Sequence, residues 1–263
     1  MAGYGYRLKI EKGSSIYWLP ITFTIENNDW HVRENKVSYA FSHGGTDISD
    51  QKIEGRIITL RGFVYVTNNN RADFLAVLDE FQRNLYQRDY KLYLDLYYLN
   101  ITKCISVNID YIKGQNYNQT EVKAELYAGD PFWYHSVPDI INYTSVSDNS
   151  IGTIENGGSV EAYPIICITA NQVLPFLQIQ NTSDVPEGAN EGLKFTFISN
   201  SFQTGNTLVV DCQEGTVKIG ETNNIRYFSG AFLKLLSGFN NLKFSLSPGC
   251  TVNVQIKFTK RRL

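Results

Sequence analysis

The sequence predicts a mainly β protein: a first α+β domain of antiparallel strands with one helix, then an all-β second domain. Three observations carry this. Aromatic residues make up 13% of the chain, with 17 Tyr, 15 Phe and 3 Trp, and such side chains suit half-buried pleated surfaces. Short runs alternating apolar with polar residues recur from end to end, and only one stretch has helical spacing. At 263 residues the chain has room for two cores, since one core commonly serves about 100–200 residues.

In chain order, Ile16 to Ile25 is an apolar, β-branched run. Asn27-Asn28-Asp29 supplies a turn before a strand from His31 to Phe41, so the pair reads as a hairpin. His43-Gly44-Gly45-Thr46-Asp47 is a permissive loop. From Ile53 to Val66, Ile58, Leu60, Val64 and Val66 alternate with Thr59, Arg61 and Tyr65, and Gly62 marks a bulge or a close backbone approach.

The helix is expected from about Arg71 to Gln87. Asn70 can cap it, and Asp73 falls in the first turn, where the helix dipole favours negative charge. Phe74, Leu78, Phe81 and Leu85 form one stripe to lay on a sheet. Period two then returns: Leu92, Leu94, Leu96 and Tyr98; Ile105, Val107, Ile109 and Tyr111; Val122, Ala124 and Leu126. Gly114 to Asn118 is a hairpin loop by composition.

Ala128-Gly129-Asp130-Pro131-Phe132-Trp133-Tyr134 is the junction between the halves, giving domains 1–135 and 136–263. Pro131 fixes its own φ, donates no backbone hydrogen bond and keeps Asp130 out of helical geometry, so the strand must stop. Asp130 is expected to close the turn with its carboxylate. Phe132, Trp133 and Tyr134 each gain by burial, so the segment reads as a docked junction and not a tether.

Beyond it, candidate strands are Ile151–Glu155, Pro164–Ala170, Phe176–Asn181, Leu193–Phe197, Thr207–Asp211, Thr216–Ile219, Leu242–Leu246 and Val252–Phe258. Turn signals separate them, among them Asn156-Gly157-Gly158 and Ser247-Pro248-Gly249. Short strands at even spacing suggest a β-sandwich of the jelly-roll or galectin type.

Sites for chemistry are not evident. His31, His43 and His135 have no metal-ligand spacing; the carboxylates Asp47, Asp50, Glu54, Asp110, Asp130, Asp211 and Glu214 are scattered; no nucleophile elbow, phosphate loop or dinucleotide fingerprint is present. We therefore expect no catalytic, cofactor-binding or metal residue and no enzyme. Cys104, Cys167, Cys212 and Cys250 are widely spaced and read as small apolar residues on strands. A net charge of -2 gives no reason to expect specific nucleic-acid binding. The basic run Lys260-Arg261-Arg262 reads as a solvated chain end. No apolar run nears the roughly 20 residues of a membrane span, and Met1 to Ile10 lacks the apolar core of a secretory signal, so folding in a cytoplasm is expected.

Taken together, several motifs resemble the distal tail protein (Dit) family of long-tailed, siphovirus-type bacteriophages. In the first domain these are His43-Gly44-Gly45, the strand Gly55-Arg56-Ile57-Ile58-Thr59-Leu60-Arg61-Gly62, the helix after Arg71, and Asp130-Pro131-Phe132-Trp133-Tyr134. In the second they are Asn156-Gly157-Gly158 with Glu161-Ala162-Tyr163-Pro164, Asn206 to Asp211, Phe232-Leu233-Lys234-Leu235 with Gly238-Phe239-Asn240-Asn241, and Phe258 to Leu263. The sequence departs from the family at Ser237-Gly238-Phe239-Asn240, where a Pro-Gly-Asn turn is common.

The resemblance implies a structural hub at the distal end of the tail. The first domain would form a homo-hexameric ring around a channel through which DNA would pass, with a galectin-like second domain at its periphery. Partners would be the tail tube protein, the tail-associated hub or lysin, and receptor-binding proteins; the place would be the virion tail tip, after assembly in the host cytoplasm. The alternative is a carbohydrate-binding module of a phage tail or cell surface, motivated by the aromatic-rich, all-β second half.

Overall fold

The computed structural model describes residues 7–29, 36–38, 45–47, 55–68, 70–110, 118–186, 188–189, 191–200 and 202–263. It is mainly β, and its contacts divide it into two units, residues 1–134 with Leu263 and residues 135–262. In the first unit the strands are β1 (Lys9–Lys12), β2 (Ser15–Trp18), β3 (Thr24–Asp29), β4 (Lys36–Ser38), β5 (Gly45–Asp47) and β6 (Arg56–Tyr65). After helix α1 (Arg71–Leu85) come β7 (Tyr90–Leu94), β8 (Tyr97–Ile101), β9 (Lys103–Asp110), β10 (Gln119–Ala128) and β11 (Trp133–His135).

Two antiparallel sheets, not one, flank the core of this unit. One runs β2-β1-β7-β8-β11 and the other β3-β6-β10-β9. Ile10, Leu92 and Leu99 from the first meet Ile58, Leu60, Val122 and Ala124 from the second, and the helix inserts Phe74, Leu78, Phe81 and Leu85, all buried. The helix begins as the sequence predicts: the Asn70 side chain accepts from the Ala72 N–H, and Asp73 sits in the first turn. Gly62 is a close approach, because a Cβ there would lie 2.7 Å from Phe23 Cα.

Three expectations fail here for reasons of pairing. Asn27-Asn28-Asp29 is not a turn but the end of β3, held against β6 with Asn28 opposite Ile58 and Asn28 Oδ1 accepting from Arg56 Nη1 at 2.9 Å. The hairpin in this region is β1–β2, and Gly45-Thr46-Asp47 pairs with β4 instead of looping. The remainder of the expected His31–Phe41 strand lies outside the described residues, as do His43, Gly44, Asp50, Glu54 and Gly114 to Tyr117. Leu92 to Tyr98 is not one strand: Asp95 takes a φ of 55° and turns the chain into the β7–β8 hairpin, with Tyr93 opposite Tyr98. Along β9 a bulge skips Ile105, so Cys104 packs on the core and Ile105 is exposed.

The second unit contains β12 (Asp139–Ser147), β13 (Ile151–Asn156), β14 (Ile165–Ala170), β15 (Phe176–Asn181), β16 (Lys194–Ile198), β17 (Thr207–Asp211) and β18 (Thr216–Ile219). β19 (Thr222–Asn223), β20 (Phe228–Gly230), β21 (Gly238–Leu246), β22 (Thr251–Phe258) and β23 (Arg261–Arg262) complete it. One sheet runs β12-β22-β14-β17-β18-β19 and the other β13-β21-β15-β16-β20. Ile166, Ile168, Val210, Val254 and Ile256 from the former share one core with Leu177, Ile179, Phe195, Phe197 and Phe244 from the latter. That is a β-sandwich, each strand sending alternate side chains inward. Every strand expected in this half is present. β12 was not foreseen, because it is an edge strand on which only Val146 is fully buried, so the apolar alternation that betrays a strand is weak.

Candidate functional site

Reactive chemistry finds no centre among the described residues. No three His, Cys, Asp or Glu residues stand close enough together to hold a metal ion. Asp211 Oδ1 accepts from the Gln213 and Glu214 N–H groups, both at 2.9 Å, and so closes a turn. His135 Nδ1 lies 2.7 Å from the Val137 carbonyl. All four cysteines are free. Burial pushes the Cys212 thiol up to about 12 and the Cys104 thiol up to about 11, which disfavours the thiolate a nucleophile needs.

The junction residues build one end of the first unit. Asp130 Oδ1 accepts from the Phe132 N–H at 3.2 Å and Oδ2 from the Tyr134 hydroxyl at 2.6 Å, so the carboxylate closes the turn after Pro131. Trp133 is buried in the first unit's core. Tyr134 stacks on Tyr98, the ring centroids 5.6 Å apart. The stack continues in register across the sheet, through Tyr93 to Lys9, whose Nζ lies 4.1 Å from the Tyr93 ring centroid. Only the first member of this row was singled out in the sequence, because the others come together through strand pairing.

A second constellation joins motifs far apart in the second unit. Asn156, Asn181 and Asn240 are fully buried. Asn156 Nδ2 donates to the Val160 and Leu235 carbonyls, and its Oδ1 accepts from the Gly158 N–H. Asn240 Oδ1 accepts from the Leu236 N–H and from Asn181 Nδ2, while its Nδ2 donates to the Leu236 and Gly238 carbonyls. Ala162 and Leu235 exchange backbone hydrogen bonds, and the Ser237 hydroxyl donates to the Gly158 carbonyl. Three amides thus satisfy a cluster of irregular backbone that could not otherwise be buried.

Arg261 locks the same cluster. It is 9% exposed, donates to the Glu161 carbonyl from Nε at 2.8 Å, and lies over the Tyr163 ring. Its own carbonyl accepts from the Ser159 N–H, and a Cβ on Gly158 would lie 2.5 Å from that oxygen. Lys260 pairs with Asp139 at 2.9 Å. The expectation of a solvated basic tail is therefore wrong for Lys260 and Arg261, whose partners are out of sight in a linear reading.

Residues 157–261, which hold all of this constellation but Asn156, match the model of the siphovirus-type tail component, C-terminal domain. In fold, the chain is similar to the SPP1 Dit (gp 19.1) protein, described as a paradigm of hub adsorption apparatus in phages infecting Gram-positive hosts. The identity is 12% and the TM-score 0.71, over 97% of this chain and 99% of that one. A chain of the phage P2 baseplate in its activated conformation with Ca is similar at 10% identity with a TM-score of 0.40, over 97% of each chain. No curated protein matches the sequence. The resemblance to the distal tail proteins is borne out.

Within the second unit, most of the motifs that carry the resemblance meet in the asparagine cluster: Asn156-Gly157-Gly158, Glu161 to Tyr163, Leu233 to Leu235, Asn240 and Arg261; Asn206 to Asp211 lies apart from it, in β17. In this chain they hold the irregular backbone of the cluster together. At the departure from the family pattern, Gly238 takes a φ of 90° and so makes the turn without a proline.

Proposed function

We propose that this chain is a structural tail protein, the hub ring that joins a phage tail tube to the host-recognition apparatus. The observation that carries the reading is the tail-component match of the second unit, supported by a distal-tail fold over both units. In this reading the first unit forms the homo-hexamer and the second, galectin-like in type, sits at the periphery. Asp130 to Tyr134 act as a docked junction between them.

Ring closure needs two different surfaces on each copy, one meeting the other. The sheet β3-β6-β10-β9 ends in β3 and β9, which have no further strand beside them among the described residues. Ile105 is exposed on the edge strand β9, and Ile57, Phe63 and Tyr65 are exposed on the inner strand β6. Edge-to-edge pairing of β9 with a neighbour's β3 would satisfy both open edges. Tube protein, hub or lysin, and receptor-binding proteins are the expected partners, with the tail tip as location.

Purified protein is expected to form rings in negative-stain images and a mass near six chains in light scattering. A monomer at high concentration, without rings, overturns the reading.

A further inference from the structure

The outer face of the sheet β12-β22-β14-β17 carries a groove of about 530 Å³. Two rows of side chains cross its floor in register. Asn142, Gln255 and Cys167 form one, Asn253, Thr169 and Thr207 the other. The rows lie about 7 Å apart along the strands, and neighbouring groups within a row about 4.8 Å apart. The lining residues carry no charge.

The hydrogen bonds within the groove leave paired donors and acceptors facing outward. Gln255 Nε2 donates to Asn142 Oδ1 at 3.0 Å, which leaves Asn142 Nδ2 to donate and Gln255 Oε1 to accept side by side. Thr169 and Thr207 share one hydrogen bond at 2.9 Å, so a second hydroxyl hydrogen remains to be given. The wall is a β-bulge in β12, where Ser145 takes a φ of 52° and its N–H donates to Asn253 Oδ1 at 2.9 Å. A non-glycine residue held in the left-handed region costs free energy, and such positions cluster at functional sites. Asn253 also donates to Asn171 Oδ1 at 3.2 Å, so it positions the wall.

We infer that this groove binds a neutral saccharide, with Asn142 and Gln255 as the main contacts and Thr169 and Thr207 completing the floor. The lining itself holds no cation, although Lys257 stands one row beyond Gln255 and its charge is felt at Cys167; an apolar ligand would strand the amides and hydroxyls without partners. Adjacent sugar hydroxyls each donate and accept, which is the pattern that the amide pair and the hydroxyl pair present. The groove offers no aromatic platform: Tyr143 packs against Phe244 and donates its hydroxyl to the Thr153 carbonyl. Affinity is accordingly modest, on the order of 1 mM. The inference rests on these side chains and is independent of the ring reading.

The test uses the full chain and saturation-transfer NMR with β-linked glucan and galactan hexamers, and an oligogalacturonate of equal length as the charged comparison. At least one neutral hexamer should bind and slow alkylation of Cys167 relative to Cys250. Asn142→Ala with Gln255→Ala should weaken binding at least tenfold with the melting temperature unchanged, while the oligogalacturonate should not bind. Thr196→Ala, on the other sheet, serves as the control and should leave binding intact. The inference is overturned if no neutral hexamer binds, if the double variant binds as wild type does, or if the oligogalacturonate binds as well as the neutral hexamers.

Discussion

The Tyr90 hydroxyl is buried and has no hydrogen-bond partner among the described residues, and burial pushes its pKa well above the usual tyrosine range. Removing an unpaired buried polar group relieves its desolvation cost, so Tyr90→Phe should stabilise the first unit by about 1 kcal/mol; an equal loss in urea denaturation would show that the hydroxyl is paired. Cys212 gives a pH dependence of opposite interest. Its folded pKa is raised to about 12 by burial from an ordinary 9.0, so the folded state favours the protonated thiol. This contribution is fully present below about pH 9 and is lost as pH rises towards 12. Native protein at pH 9 should therefore label at Cys212 far more slowly than urea-unfolded protein, and equal rates would refute the burial. At this scale local chemistry was legible: Asp130 closes the turn its proline required. Asn156 was read only as part of a turn, since its partner Leu235 stands 79 residues away.

Elements were legible where their own period or cap decided them. Helix α1 is such a case, with Asn70 and a four-residue apolar stripe both visible in the sequence. Asn70→Ala should cost about 1 kcal/mol by leaving the Ala72 N–H without its acceptor; an unchanged urea midpoint for the first unit would show that the cap contributes nothing. Strands failed where pairing, not pattern, set the outcome. A run from Leu92 to Tyr98 alternates well enough for one strand, yet Asp95 adopts the left-handed region that Asp tolerates and the chain reverses there. Likewise Asn27 to Asp29 has turn composition, but β6 offers a full strand edge and Arg56 a donor for Asn28. Tertiary hydrogen bonds outweigh propensities that span about 1 kcal/mol.

Over the whole molecule, the resemblance could be read from scattered motifs several of which are structural obligations in this chain, and the fold is similar to that of a phage hub protein at only 12% identity. The same reasoning bears on the proposed docked junction. Trp133 belongs to the first unit's core, so Trp133→Ala should destabilise that unit by about 3–5 kcal/mol and says little about docking. Phe132 is only partly buried, and its backbone N–H, not its ring, serves the Asp130 turn. Phe132→Ala therefore leaves the turn in place while deleting the apolar face that a docked junction would use. If the junction is docked, this variant should broaden the small-angle scattering profile and keep both melting transitions of the wild type. An unchanged profile would mean that Phe132 holds nothing beyond its own unit, and that the two units are joined by chain connectivity or by contacts of other residues.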